Sequence, residues 1–174
     1  MTLAARIDPA DSGGLRRALG RFATGVTVIT APGGAAGGTP MGFTANSFNS
    51  VSLDPPLILW SLARDSARLA AYRAAPAYAV NVLSTLQTGL ARRFAGPVEN
   101  RFAGVTWEAG LEGAPVLAGA LAVFECRHEA IHPAGDHELF IGRVERVRVS
   151  EGRPLTYFGG GFGTVMGELE AGTD

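Results

Sequence analysis

A short polar stretch at residues 44–52 carries the first side chains of the chain that could do chemistry. Hydroxyl and amide groups stand there among apolar neighbours, at Thr44, Asn46, Ser47, Asn49, Ser50 and Ser52. Together with exposed backbone N–H and C=O groups, such side chains can hydrogen-bond a neutral heterocycle that has several donors and acceptors. The same composition is typical of a polar turn at the rim of a β-barrel, so both interpretations stay open.

Three further polar residues, Arg64, Ser66 and Arg68, stand where a helix is predicted to begin. A helix N-terminus offers free N–H groups and a positive field, and arginines add charge, so this segment could hold a phosphate group. Ordinary helix capping with solvated arginines would give the same pattern.

The three histidines, His128, His132 and His137, lie within ten residues of one another. Their spacing matches no specific metal-ligand signature, so no metal site is expected. His137 belongs to a predicted turn, Gly135-Asp136-His137, in which the neighbouring carboxylate could orient the imidazole. Taken alone, such a turn is more often an ordinary surface turn.

Other cofactor and nucleophile motifs are absent from the sequence. The glycine-rich runs at residues 33–38 and 159–163 lack the spacing and the following helix of a phosphate-binding loop. No G-x-S-x-G elbow of a serine hydrolase occurs. Cys126 falls in the middle of a predicted strand and is interpreted as a small buried hydrophobe.

Composition is typical of one globular domain. The 174 residues are 47% hydrophobic and 18% charged, enough to bury a core without a metal or a disulfide. The net charge of −1 and the lack of a basic run argue against a nucleic-acid partner. All 15 basic residues are arginine, so an arginine at any one position carries little information. One cysteine, no secretion signal and no membrane-spanning apolar run predict a cytoplasmic protein.

Hydrophobic periodicity predicts a few helices. The first is indicated by apolar residues at helical spacing, Leu15, Leu19 and Phe22. We expect this helix to be capped by Asp11 or Ser12 and to end by Gly25. A short helix capped by Asp65 or Ser66 should run to Ala74, and another from Thr85 or Gln87 to Phe94.

The remaining periodic segments are predicted strands. They lie at residues 26–30, 57–62, 77–83, 121–131, 139–149 and 155–158, with a hairpin loop at 32–38 and a turn at 132–136. Six or seven short strands with few helices favour a mainly β protein, a closed antiparallel barrel with helical decorations.

Several of these segments, taken in order, resemble the flavin reductase family, the reductase components of two-component flavin-dependent monooxygenases. The matching blocks read RFATGVTVIT, GFTANSF, SVSLDPPL, NVL, RFA, GDH and LTYFGG, starting at residues 21, 42, 50, 81, 93, 135 and 155. The resemblance covers about residues 15–165. We therefore expect a flexible N-terminus at 1–14, one domain at 15–165 and a C-terminal tail at 166–174.

The resemblance implies a split β-barrel, antiparallel and of Greek-key type with a few peripheral helices, which binds flavin as a homodimer. By similarity the flavin (FMN or FAD) would be held by Thr44, Ala45, Asn46, Ser47, Ser50, Ser61, Arg64, Ser66, Asn81, Val82, Leu83, Arg93 and Phe94. Among these, the resemblance places Ser61, Arg64 and Ser66 near the phosphate. Residues 81–83 would pass the ring edge through backbone groups.

The nicotinamide side would be formed by His137, Tyr157, Gly159, Gly160 and Phe162, and His137 resembles the family's catalytic histidine. The family often has an aromatic hydroxyl shortly after the glycine pair, whereas this chain has Phe162. That departure leaves the nucleotide preference, NADH or NADPH, open.

The implied activity is an NAD(P)H:flavin oxidoreductase. Hydride would pass from the nicotinamide to FMN or FAD, and the reduced flavin would leave to a separate oxygenase. No membrane partner is expected. A non-enzymatic flavin-binding module is the main alternative, and an oxidase of a phosphorylated vitamin ranks last because it would need more basic residues around the phosphate.

Overall fold

A computed structural model describes residues 5–33 and 38–166. Its helices are α1 (Ser12–Leu19), α2 (Leu69–Ala74) and α3 (Thr88–Ala95), with 3₁₀ turns at Thr85–Gln87 and Leu111–Gly113. Its strands are β1 (Thr24–Gly25), β2 (Thr27–Gly33), β3 (Gly38–Ala45), β4 (Asn49–Leu53), β5 (Pro56–Ala63), β6 (Tyr78–Val82), β7 (Trp107–Ala109), β8 (Pro115–Leu117), β9 (Ala122–Ala134), β10 (His137–Val149), β11 (Leu155–Phe158) and β12 (Gly161–Thr164).

Seven strands form one antiparallel sheet in the order β3-β2-β6-β9-β10-β5-β4. Its two edge strands, β3 and β4, are joined by residues 46–48 alone. That link spans at most about 14 Å from Ala45 to Asn49, whereas the edges of a flat seven-stranded sheet would lie about 29 Å apart. The sheet must therefore curl until its edges nearly meet. The prediction of a mainly β protein with few helices is confirmed, but no ladder joins β3 to β4 in the described part of the chain.

An aromatic cluster fills the inside of this curled sheet. Trp60 of β5 and Phe140 of β10 are opposite each other in the ladder, and their rings stack with centroids 4.1 Å apart. Tyr72 of α2 packs edge-on against Trp60, and its hydroxyl donates to the Ile29 carbonyl at 2.8 Å. Trp60, Phe140 and Tyr72 are fully buried, so α2 is fixed across the sheet by core packing.

A smaller sheet, β1-β11-β12, covers one side of the molecule. Its β11–β12 hairpin turns at Gly159 and Gly160, whose φ angles of 58° and 91° favour glycine. The Gly159 N–H donates to the carbonyl of Gly20, just past the end of α1, at 2.8 Å. The hairpin is thereby tied to the first helix.

The first helix differs from its prediction. It starts as expected, with the Asp11 carboxylate accepting from the Gly13 N–H, but it ends at Gly20 instead of Gly25. Phe22 therefore lies beyond the helix, and Leu15, Leu19 and Phe22 are all exposed. Their apolar spacing does not mark a core-facing side. Ser12 also lies within residues 1–14, which were expected to be flexible.

The second helix also begins later than predicted, at Leu69 instead of after Asp65 or Ser66. The Ser66 hydroxyl accepts from the Arg68 N–H at 3.3 Å, and the Ser66 carbonyl accepts from the Leu69 N–H at 3.0 Å. Residues 64–68 thus form a hydrogen-bonded turn between β5 and α2.

Two long strands replace the predicted turn at residues 132–136. β9 runs to Ala134 and β10 starts at His137, so only Gly135 and Asp136 lie outside the two strands. Gly135 has a φ of 60°, as such a tight turn requires. The β7–β8 hairpin and β12 were not predicted, because these short strands contain little apolar alternation.

Part of the predicted loop at 32–38 and of the C-terminal tail lies outside the described residues. None of the helices at 5–33 and 38–166 is long and apolar enough to cross a membrane.

Candidate active site

The site is built on the edge of β3 that faces away from β2, called here the free edge. The Gly42 carbonyl accepts from Arg101 at 3.0 Å on this edge, while the Ala45 carbonyl accepts from Thr27 of β2 at 2.8 Å. Backbone groups of an edge strand point alternately toward and away from the neighbouring strand. The N–H and C=O of Thr44 therefore point to the free edge, where a ligand can reach them.

A cavity of about 380 Å³ opens beside this edge and is called here the edge cavity. It is lined by Val26, Thr44, Ala45, Asn46, Ala95, Tyr157, Gly160 and Phe162. Six of these eight residues belong to the predicted site. The other two, Val26 and Ala95, are small apolar residues that no chemical pattern in the sequence could single out.

An aromatic wall closes the edge cavity on the side of the hairpin. Tyr157 and Phe162 are opposite each other in the β11–β12 ladder, with ring centroids 5.5 Å apart. The Arg92 guanidinium lies 6.0 Å from the centroid of the Phe162 ring. Aromatic rings on one side and strand-edge amides on another suit a planar heterocycle with polar edges, so these residues fit an isoalloxazine ring.

The Thr44 side chain has a structural role. Its hydroxyl donates to the Ala91 carbonyl of α3 at 2.6 Å and so joins the helix to β3. The hydroxyl proton is engaged in this bond, and the backbone of Thr44 is the part that faces the free edge. Residue 44 therefore serves the site through its main chain.

The bend at residues 46–48 connects the edge cavity to a second group of predicted residues. The Ser47 hydroxyl accepts from the Ser61 N–H at 3.0 Å and lies 3.4 Å from the Ser61 carbonyl. Ser61 is the third residue from the end of β5, shortly before the turn at residues 64–68. The bend is thus fastened to the strand that leads to Arg64 and Ser66.

The predicted histidine lies at the same strand ends. His137 is opposite Ala63 in the β5–β10 ladder, and the Arg64 N–H donates to the Asp136 carbonyl at 2.8 Å. Five predicted residues lie on the bend, on the paired ends of β5 and β10 or in the turn that follows β5, and we call them the strand-end cluster: Ser47, Ser61, Arg64, Ser66 and His137. The nicotinamide set is divided, since His137 lies in this cluster whereas Tyr157, Gly160 and Phe162 line the edge cavity.

A carboxylate orients the His137 ring. Asp136 Oδ1 lies 2.7 Å from His137 Nδ1, so the imidazole N–H can donate to the carboxylate. This hydrogen bond lowers the pKa of Asp136. The His137 side chain is 44% exposed, which leaves its other nitrogen accessible to a ligand.

Residues 81–83 lie away from the edge cavity and from the strand-end cluster, in and directly after the inner strand β6. The fully buried Asn81 amide donates to the Val28 carbonyl and to the Thr30 hydroxyl at 3.0 Å each, and accepts from the Leu117 N–H at 2.9 Å. β6 lies between β2 and β9, so the backbone groups of Val82 and Leu83 are used in contacts with neighbouring segments. None of these three residues lines the edge cavity.

Three other predicted residues also lie away from the edge cavity. The Arg93 guanidinium donates to the Ala103 carbonyl, beside a different groove. The Phe94 ring is buried behind β3, where a Cβ on Gly42 would meet it at 2.5 Å. Ser50 is exposed on β4.

Gly159 shapes the hairpin turn and bonds to α1, while its neighbour Gly160 lines the edge cavity.

Arg101, which sequence reasoning did not single out, contacts backbone close to residues that line the edge cavity. Arg101 is 8% exposed, and its guanidinium donates to the carbonyls of Gly42 and Gly96. Burial lowers the pKa of Arg101, as does the nearby positive charge of Arg68. Since every basic residue of the chain is arginine, nothing in the sequence distinguishes this one.

The chain is similar in sequence to known flavin reductases. The family described as "Flavin reductase like domain" matches residues 19–166. The FMN reductase (NADH) SmoA of Agrobacterium fabrum is 48% identical over 155 residues, which cover 88% of this chain and 86% of that protein. A probable flavin reductase of Rhizobium meliloti is 49% identical over 154 residues, 88% of this chain, but the chain spans only 49% of that relative.

Solved structures agree with the fold. The NADH:FAD oxidoreductase of Streptomyces globisporus, crystallised with NAD and FAD fragments, superposes with a TM-score of 0.89 at 39% identity, over 96% of this chain and 100% of that one. Other relatives are named as reductase components of flavin-dependent monooxygenases.

Proposed function

The chain belongs to the flavin reductase-like family, and from this premise we propose that it oxidises NADH or NADPH and reduces FMN or FAD. The observation that carries the proposal is the edge cavity, in which the free edge of β3 faces the aromatic wall of the β11–β12 hairpin. A bound flavin supplies the hydride acceptor. The protein supplies position and orientation of the two nucleotides.

We assign the ring-binding role to the edge cavity. The Thr44 backbone N–H and C=O would meet the polar edge of the ring, and Asn46 at the start of the bend adds an exposed amide. Backbone N–H groups aimed at the ring also stabilise negative charge that develops on reduction. Tyr157 and Phe162 would exclude water from one side of the ring.

The strand-end cluster would hold the rest of the nucleotides. The Arg64 charge and the Ser66 hydroxyl suit a phosphate, and Ser47 fixes the bend at the right distance by its bond to Ser61. His137, oriented by Asp136, would bind the nicotinamide nucleotide and need not transfer a proton. Its position beside Arg64 supports a contact with phosphate as much as with the nicotinamide ring.

We further propose that the curled sheet is a split β-barrel of Greek-key type, and that the chain forms a homodimer. The exposed apolar side chains of Leu19, Phe22 and Phe158 support a second subunit near α1 and β11. Reduced flavin would then pass to a separate oxygenase. We place the protein in the cytoplasm, where nicotinamide nucleotides occur and a lone thiol such as Cys126 stays reduced.

The direct test is turnover with purified protein. We expect the nicotinamide absorbance band to decay in the presence of FMN or FAD, and the four combinations of two flavins with NADH and NADPH give the preference. A rate equal to the flavin-free control in all four would overturn the enzyme proposal. Flavin binding without turnover would instead favour the non-enzymatic flavin carrier.

The histidine has its own test. We expect His137→Ala to raise KM for the nicotinamide nucleotide several-fold more than KM for flavin. His132→Ala, on the exposed part of β9, is the matched control and should leave both values unchanged. Equal or absent effects of the His137 change would remove that residue from the nicotinamide side.

A further inference from the structure

The edge cavity has two walls that belong to different sheets. The free edge of β3 is part of the seven-stranded sheet, whereas Tyr157 and Phe162 are part of the sheet β1-β11-β12. Where β11 starts, the two walls are joined, because the Val26 N–H donates to the Leu155 carbonyl at 3.2 Å. Further along the hairpin, no ladder of the described chain links it to β3. The width of the cavity at Phe162 therefore depends on side-chain contacts.

The β11–β12 hairpin is held at both of its ends but not between them. At the turn, the Gly159 N–H is bonded to the chain just past α1. At the open end, the Thr164 hydroxyl donates to the Pro154 carbonyl at 3.3 Å. Residues 160–163, which lie between these points, read Gly-Gly-Phe-Gly, and glycine leaves the backbone more conformations than any other residue. The Phe162 ring is thus the one side chain through which this stretch can be fixed.

Helix α3 contacts both walls of the edge cavity. The Arg92 guanidinium lies over the Phe162 ring, 6.0 Å from its centroid, within the range of a cation–π interaction. The half-buried Phe162 ring also packs against a core cluster that includes Ala91 and Phe94. The Ala91 carbonyl, one residue before Arg92, accepts from the Thr44 hydroxyl of β3 at 2.6 Å. Consecutive residues of one helix therefore hold the strand edge and the aromatic wall.

The position of Arg92 supports a contact with the ring and not with the ligand. Arg92 is exposed and does not line the edge cavity. Within residues 5–33 and 38–166 its guanidinium forms no ion pair. Phe162 has no hydroxyl that could form a hydrogen bond, so a cation over its ring face is the polar contact open to it.

We propose that Arg92 is a positioning residue, which holds the Phe162 ring at the distance from β3 that a planar heterocycle requires. The inference rests on the proposed function for the identity of the ligand, and it deepens that function by a residue outside the cavity. Without Arg92, the ligand has to order the Phe162 ring itself. The apparent affinity then falls with the fraction of molecules in which the ring is in place.

Lumiflavin, an isoalloxazine ring without the ribityl chain and the phosphate, separates positioning from direct contact. The Kd values for lumiflavin and for FMN are measured by flavin fluorescence for the wild type and for Arg92→Gln. Loss of one exposed cation–π contact should raise both Kd values about threefold. A rise for FMN alone would mean that Arg92 binds the phosphate, and it would overturn the proposal. Unchanged values for both ligands would overturn it as well.

The same hairpin offers a matched control. The Arg21 guanidinium lies over the Phe158 ring, also 6.0 Å from the centroid, but Phe158 does not line the edge cavity. Arg21→Gln should therefore leave both Kd values within about 1.5-fold of the wild type. A threefold rise with this variant too would show a general effect of surface charge and contradict the assignment to Arg92.

A double-mutant cycle tests whether Arg92 acts through Phe162. Phe162→Leu removes the ring face that the guanidinium covers. Adding Arg92→Gln to Phe162→Leu should then change the Kd for lumiflavin by less than about 1.5-fold. A full threefold rise in this background would mean that Arg92 acts independently of the ring, contrary to the proposal.

The ligand-free protein gives a readout that does not depend on flavin. Amide hydrogen exchange at residues 161–164 should be about threefold faster in Arg92→Gln than in the wild type, because the hairpin opens more often. If the wild type binds neither FMN nor lumiflavin, the proposed function fails, and the exchange rates decide on the positioning role by themselves. Equal rates in the wild type and in Arg92→Gln would reject that role.

Discussion

Asn46 and Asn81 are the same residue type, and both stand in segments expected to meet the flavin, but the structure gives them opposite situations. Asn46 is exposed in the bend that joins the two edge strands and lines the edge cavity. Asn81 is fully buried in a central strand, and both its amide nitrogen and its amide oxygen are hydrogen-bonded within the protein. A polar group at a sheet edge is therefore available to a ligand. In the middle of the sheet the same group is already hydrogen-bonded within the protein.

Removing the Asn81 amide should have the largest effect, and the effect should be on stability. Asn81→Leu leaves the buried Leu117 N–H without its acceptor and removes the side-chain bonds to the Val28 carbonyl and the Thr30 hydroxyl. We expect a loss of about 3 kcal/mol in the free energy of unfolding, measured as a lower denaturant midpoint at constant slope. Asn46→Leu should change stability by less than about 0.5 kcal/mol and raise KM for flavin. Weaker flavin binding by Asn81→Leu at unchanged stability would reverse the roles of the two residues.

Blocking the free edge of β3 should affect binding instead of folding. Thr44→Pro removes an N–H that faces away from β2, and proline is tolerated at such edge positions. We expect about a tenfold rise in the Kd for flavin, as for one lost hydrogen bond to a charged or polar ring, with the far-UV circular dichroism preserved.

The matched variant at the same position keeps the backbone and removes the hydroxyl. Thr44→Val should lose the bond to Ala91, at about 1 kcal/mol of stability, while flavin binding stays within about twofold. Equal weakening of binding by both variants would show that the side chain, not the strand edge, contacts the ring.

The start of β10 offers a pH test of how the strand-end cluster is held. Glu138 follows His137, and its buried carboxylate pairs with Arg73 of α2. The hydrogen bond from Arg73 lowers the pKa of Glu138 in the folded protein. Its stabilisation is therefore complete above the unfolded pKa of about 4.3 and is lost as the pH falls through the lower folded value.

The measurement is the denaturant midpoint of the wild type and of Glu138→Gln from neutral pH down into this acidic window. The wild type should lose stability more steeply than the variant, and the two curves should converge at the acidic end. Parallel curves would mean that Glu138 is not coupled to Arg73 in solution.

The smallest effect is expected at the aromatic wall. Phe162→Tyr restores the hydroxyl that the family often has and keeps the ring contact with Tyr157. We expect the Kd for flavin to stay within about twofold, with any change confined to the ratio of KM for NADH to KM for NADPH. A larger change in flavin binding would show that the wall contacts the flavin through a polar group.

Sequence reasoning located most of the edge cavity for identifiable reasons. The polar stretch at residues 44–52 and the hairpin glycines are visible as composition, and the resemblance ordered them along the chain. Periodicity also found β5, β6, β9, β10 and β11 to within a few residues, because each contains a continuous or alternating apolar run.

What the sequence did not show has a common physical origin. It could not place residues 81–83 at an inner strand, because the position of a strand within its sheet is a long-range property that a period of two does not encode. Helix α1 was extended past Gly20 because exposed apolar residues such as Leu19 and Phe22 mimic a buried face. Arg101 was missed because burial, not residue type, separates it from the other arginines.

The stacked pair of Trp60 and Phe140 gives the molecule a built-in optical sensor. Trp60 is fully buried one residue before Ser61, whereas the second tryptophan, Trp107, is 37% exposed at the start of β7. The two indoles should therefore emit at different wavelengths, with the Trp60 emission toward the blue. Oxidised flavin absorbs where indoles emit, so energy transfer from Trp60 would report occupancy of the neighbouring site without an added label.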